Sequence, residues 1–236
     1  MRVLHRVRRH ESFIASGVYH CLEDDKPSGV VEHWSIHQLP DQSQIIRVDR
    51  DGRADVLNHS LLLEALRSAD GYIERCDIRM YYAHEKMMRE ARATYNFIDE
   101  HVEIGRIIDA KERIDEIVAL PPQTVIYPPV RIFAGSVIAR LAARIEGQAP
   151  VFLPNTDVHS SQLLSGSVEE RSAHFLGAET IDISGKHYAA RHYQFGSSSQ
   201  AASLWLDEHE VLIRSVYQNL NNRVETTILT QYARKP

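Results

Sequence analysis

With 236 residues, 43 % of them hydrophobic and 25 % charged, the chain has the composition of a globular protein with a sizeable core, which excludes a disordered or fibrous chain. The net charge is −5, and the first ten residues, MRVLHRVRRH, carry four arginines and no acid, so the remainder carries −9. A body that acidic is a poor general partner for nucleic acid, whose affinity rests on phosphate neutralisation, and residues 1–12 read as a solvated basic tip.

No run approaches the roughly 20 apolar residues of a bilayer span. No apolar stretch follows the basic start as it would in a secretory signal. Cys21 and Cys76 fit no CxxC spacing, so reduced, buried thiols and a cytoplasmic location are expected.

In chain order, short alternating runs bounded by turn residues recur about every 8 to 12 residues, the pattern of an antiparallel sheet. SGVYHCLED (16–24) and GVVEHWSIHQL (29–39) flank the turn DKPSG; IIRVDR (45–50) lies between the turns LPDQSQ and DGR. LLLEALRS (61–68) and YIERCDIRMYY (72–82) flank ADG, a hairpin signature that favours strand over helix for the leucine run. ATYNFID (93–99), HVEIGRI (101–107) and RIDEIVAL (113–120) continue the series.

The middle of the chain breaks the pattern. LPPQTVIYPPV (120–130) sets two proline pairs around a short apolar run and feeds RIFAGSVIARLAARIEG (131–147). There Ile132, Phe133, Val137, Ile138, Leu141 and Ile145 recur at helical spacing, Pro128 and Pro129 suit a helix start, and Gly147 suits its stop. A looser stretch near LLSGSVEERS (163–172) follows. Strands then resume with AETIDIS (178–184), KHYAARHYQF (186–195), AASLWLD (201–207), VLIRSVY (211–217) and VETTILTQYAR (224–234), with GSSSQ (196–200) as a loop.

The ionisable residues form no complete motif. Asp207, Glu208, His209 and Glu210 sit where two strands reverse, and a tight turn explains them better than a metal site. Among 13 histidines, His33 and His37 are the best pair, but four strand residues separate them by roughly 13 Å, too far for one zinc ion. His187 and His192, five apart, face opposite sides of a strand, so no metal is expected. There is no GxSxG elbow around Ser136 or Ser165, no Walker loop and no GxGxxG, and no cofactor is expected.

Polar residues embedded in strands remain as candidates. Glu32, Trp34 and Ile36 share one strand face; Arg47 aligns with Ile45 and Asp49, and Arg75 with Ile73, Asp77, Arg79 and Tyr81. Glu64, Tyr95, His192 and Trp205 are similarly placed. In a sheet that curls around the helix, those facing the concave side would line a pocket.

The C-terminal run LGAETIDISGKHYAARHYQF, SLWLDEHEVLIRSVY and ETTILTQYAR, together with the hairpin EALRSADGYIERCDIRMYY, resembles the LolA/LolB-like class and its domain-of-unknown-function relatives across about residues 15–232. The resemblance implies a mainly β (α+β) fold: a strongly curved antiparallel sheet, an incomplete barrel, with a helix packed on its concave side. The class includes periplasmic carriers of lipid-modified proteins and VioE, a cofactor-free enzyme of violacein biosynthesis. The chain lacks the carriers' signal peptide and lipobox cysteine, and matches no active-site residue of VioE.

The expectation is therefore one domain over residues 13–236, with a helical insertion at about 130–146. Its cavity would bind a hydrophobic or aromatic small molecule or an acyl chain, with Glu32, Trp34, Arg47, Glu64, Arg75, Tyr81, Tyr95, His192 and Trp205 as ligand-binding candidates. The alternative is a cofactor-independent enzyme of small-molecule metabolism, with Glu32, Glu64 or His192 moving protons and Arg47 or Arg75 orienting a carboxylate. A third reading is an assembly subunit with an exposed strand edge, and homo-oligomers are compatible with all three.

Overall fold

A computed structural model describes residues 7–55, 59–84, 87–196, 201–219 and 222–235. The serine loop expected at 196–200 and half of the basic tip fall largely outside the described residues. Eight strands follow the first alternating segments: β1 (Ser12–Glu23), β2 (Lys26–Gln38), β3 (Gln44–Asp51), β4 (His59–Arg67), β5 (Ile73–His84), β6 (Met87–Ile98), β7 (His101–Ile108) and β8 (Ile114–Ala119). The two-residue β9 (Val125–Ile126) leads through a 3-10 turn (Arg131–Phe133) into the helix α1 (Ala134–Ala142). The chain returns through β10 (Gln148–Pro154), β11 (Gly166–Ile183), β12 (Lys186–Phe195), β13 (Ala202–Leu206), β14 (Leu212–Gln218) and β15 (Val224–Arg234).

Local chemistry sets the reversals. Asp24 and Asp25, with φ of 48° and 61°, make a two-residue hairpin turn, as do Ser184 and Gly185 at 53° and 82°. The Asp207–Glu210 cluster is also a turn. Asp207 Oδ1 accepts the backbone N–H groups of His209 at 2.9 Å and Val211 at 2.7 Å, and Glu210 takes the left-handed conformation.

All strands form one sheet in the order β8-β7-β6-β5-β4-β3-β2-β1-β15-β14-β13-β12-β11-β10-β9. Every pairing is antiparallel except β9 with β10. Strands β8 and β9 are the two edges, yet only residues 120–124 connect them. Laid flat, fifteen strands would separate the edges by about 67 Å, at roughly 4.8 Å per neighbour. Six peptide steps reach at most about 22 Å. The sheet must therefore curl until its edges nearly meet, while β8 and β9 stay unbonded to each other and the barrel stays open.

Period-two alternation decides which face is filled. Ile36, Ile46, Ala65 and Cys76 lie in register across β2 to β5, as do Trp34, Val48, Leu63 and Ile78, and all are buried. From the helical segment Phe133, Val137, Ile138 and Leu141 join the same cluster, as do Leu163 and Leu164 from the loop before β11. Gly135 fits the helix under the β13–β14 turn: a Cβ there would lie 1.7 Å from the Glu210 carbonyl oxygen. Among the described residues no helix is long and apolar enough to cross a membrane.

Two sequence expectations need correction. The helix ends at Ala142 rather than near residue 146, and Ile145 is fully exposed instead of joining the apolar face. The Gly147 carbonyl accepts the Ala173 N–H of β11, and the shorter-range bond from Arg144 N–H to Leu141 O closes the helix first. Second, the stretch after the helix is not loose: it contains β10 and the first half of β11. Pro150 hid β10, and it sits where β10 has partners only on the β11 side. Strand β11 leaves both faces partly exposed, which removes the apolar alternation on which the sequence reading depends.

Candidate functional site

The filled face of the sheet carries two ionisable residues directly opposite each other, Glu32 on β2 and Arg50 on β3. Glu32 is wholly buried and holds the start of the helical segment. Its Oε1 accepts the Arg131 backbone N–H at 2.9 Å, and its Oε2 lies 3.3 Å from the Arg131 Nη1. The Arg131 Nε donates to Thr227 Oγ1 on β15 at 2.7 Å. One arginine thus ties the helical segment to two strands, and the proline pair ahead of it sets the entry.

Beside this junction lies a cavity of about 570 Å³, where the ends of β1 to β4 and β15 meet the 3-10 turn. Cys21, Leu22 and Val30 give it apolar surface. Arg50, His59 and Arg131 give it basic groups, and Ser28, Thr226 and Thr227 give it hydroxyls. Glu23 and Arg223, which pair with each other, and Glu225 complete the acidic and basic lining together with Asp55.

Burial, and then the charge of Arg131, depress the Arg50 guanidinium below the ordinary arginine range. Burial, followed by the Arg50 charge, lowers His59 to about 4. His59 is therefore neutral at pH 7, and its Nε2 is buried without a hydrogen-bond partner among the described residues. In the unfolded chain a histidine titrates near 6.5, so between about pH 6.5 and 4 the unfolded state binds the extra proton. The contribution of neutral His59 is complete above pH 6.5 and is lost as pH falls toward 4. The difference of about 2.5 pKa units amounts to about 3 kcal/mol. Urea titrations from pH 7.5 to 4 should show the wild type losing about that much more stability than His59→Gln. Parallel curves would refute the assignment.

No family model matches this chain, and no curated protein sequence matches it. Among solved structures, a candidate lipoprotein from Parabacteroides distasonis matches with a TM-score of 0.36 and 10 % identity, over 93 % of this chain and 95 % of that one.

None of the nine candidates named from sequence lines the cavity, though Glu32 holds one of the residues that do. Trp34 is buried on the filled face between Tyr19 and Tyr232, with ring centroids 6.0 and 6.1 Å away. Tyr95 is also on that face, where its hydroxyl donates to the Leu164 carbonyl at 2.7 Å. Arg47, Glu64, Arg75 and Tyr81 occupy the opposite face, out of phase with Ile46, Leu63, Cys76 and Ile78. There Arg47 donates to both oxygens of Glu11, at 2.6 and 2.8 Å, and to Glu64 at 2.7 Å; Arg75 pairs with Asp77 at 2.8 Å. This Arg47 contact holds the Glu11 carboxyl below the usual carboxylate range.

His192 and Trp205 are cross-strand neighbours and stack at 4.4 Å. Arg214 lies over the indole, and Glu179 accepts the indole N–H at 2.6 Å while its oxygen lies 3.3 Å from His192 Nδ1. Among the described residues no three His, Cys, Asp or Glu side chains cluster closely enough to hold a metal ion.

Arg50, His59 and Arg131 escaped the sequence reading, but one signal pointed to Arg50. Opposite the stripe Ile36–Trp34–Glu32, the β3 residues in phase are Ile46, Val48 and Arg50, not Ile45, Arg47 and Asp49. An arginine that ends an apolar stripe faces the interior. No comparable signal marks His59 or Arg131.

Proposed function

We propose that the protein binds a small molecule with an apolar or aromatic body, or an acyl chain, in the cavity beside Arg131. The observation that carries this reading is the cavity itself. Its size falls within the roughly 300–1,000 Å³ of small-molecule sites, and it combines apolar surface with a few convergent polar groups. The open, curled sheet with a helical segment in its core supports the further reading of the fold as LolA/LolB-like. In this reading the protein works in the cytoplasm, with both thiols reduced.

Native mass spectrometry of freshly purified protein should show a bound small molecule. Added fatty acids or indoles should raise the melting temperature. At a ligand concentration of about 100 Kd, binding stabilises by roughly 2.7 kcal/mol. For a chain of this length that corresponds to a shift of roughly 5–10 °C. No bound mass and no shift with any member of either class would overturn the proposal.

A further inference from the structure

We propose that the cavity recognises an anionic group, a carboxylate or a phosphate, between the guanidinium groups of Arg131 and Arg50. This inference rests on the small-molecule reading above and names the class of ligand.

The first support is the geometry of Arg131. Among the described residues its Nε is committed to Thr227 and its Nη1 to Glu32, and no hydrogen bond takes up Nη2. Arg131 lines the cavity. With Nε and Nη1 engaged, Nη2 is the group left to make a charge-assisted hydrogen bond to a carboxylate or phosphate oxygen there. Arg50 lines the same cavity, and the charges of Arg131 and Glu32 both act on it; two arginines share the one Glu32 carboxylate, so an anion in the cavity would supply a second counter-charge.

The acids of the lining are largely engaged elsewhere. Glu225 accepts from the Tyr217 hydroxyl and from Asn219 Nδ2 at 2.9 Å. Glu23 pairs with Arg223, and Asp55 stands on the loop that leaves β3. Neutral His59 adds no positive charge, but its ring N–H can donate a hydrogen bond. Cys21, Leu22 and Val30 lie in reach of the apolar body that such a head group would carry.

Cys21 provides the readout. Both cysteines are largely buried, but Cys21, 8 % exposed, lines the cavity, whereas Cys76, 2 % exposed, lies in the core, where burial pushes its thiol far up. Alkylation by iodoacetamide, located by peptide mass spectrometry, should therefore report occupancy through Cys21 alone. Octanoate and octyl phosphate, below their micellar concentrations, should slow Cys21 alkylation at least tenfold more than octanol does. Inorganic phosphate tests the head group alone, and comparing octanoate with octyl phosphate tells which anion the site prefers.

Arg50→Gln should weaken octanoate protection at least tenfold while leaving octanol unchanged. Arg131→Lys, which keeps the charge but loses the Nη2 group, should weaken it less. Each variant's melting temperature is measured alongside; if Arg50→Gln does not fold, the contrast between octanoate and octanol in the wild type decides. Equal protection by octanol and octanoate, unaffected by either variant, would leave small-molecule binding standing and overturn the anionic assignment. No protection by any probe would overturn both.

Discussion

Alanine at Glu32 is expected to lower the unfolding free energy by about 3–5 kcal/mol, the cost of orphaning one member of a buried charge pair. The substitution removes the acceptor of the Arg131 backbone N–H and the partner of its guanidinium together. It also leaves the arginine charge buried beside Arg50. Glu32→Gln keeps an acceptor for the backbone N–H, so its loss should be smaller, about 1–3 kcal/mol. The double variant Glu32→Ala with Arg131→Met should recover part of the loss, because it removes the stranded charge as well. Urea unfolding monitored by tryptophan fluorescence measures all three. A cost below about 1 kcal/mol for Glu32→Ala would mean that the carboxylate does not hold the helical segment.

The second large effect should come from Phe152→Ala, expected to cost about 3–5 kcal/mol as a buried aromatic truncation. Phe152 is fully buried on β10, with ring centroids 5.9 Å from Tyr95 and 5.4 Å from Phe97, both on β6. Four strands separate β10 from β15, and four separate β6 from β1, so the contact spans the interior of the curled sheet. The ring also presses on Gly166, where a Cβ would lie 2.3 Å from it. The loss should appear as a drop of roughly 6–20 °C in melting temperature, at about 2–4 °C per kcal/mol for a chain of this length. A drop of only one or two degrees would mean that the two arms of the sheet are not held together there.

The strands of the first half were legible because their turns were. Asp24–Asp25, the DGR turn and Gly71 punctuate runs whose alternation matches β1 to β5 within a few residues. The leucine run at β4 was read correctly against its helix propensity, since a turn follows it at once. Strand β10 and the start of β11 were missed where Pro150 and two-sided polarity erase the alternation. The candidate site was hardly legible. Charge within a strand says that a side chain has a polar partner, but not on which face. Arg47 and Glu64 found partners on the outside, and Arg50, three residues from Arg47, lines the cavity. Arg131 reaches the site only through long-range packing, about a hundred residues away from its partner Glu32 in the chain.

One seam gives this architecture an unusual dependence on its last segment. Apart from β1 with β15, every bonded pair of strands joins chain neighbours. The Ala15–Arg234 end of that seam also places the two ends of the domain side by side. If those ends were linked and the backbone opened between residues 120 and 124, the strands would run from one border to the other in simple succession. During synthesis of the natural chain, by contrast, β1 must wait for β15, with one flank of the emerging sheet exposed until residues 224–234 have been made.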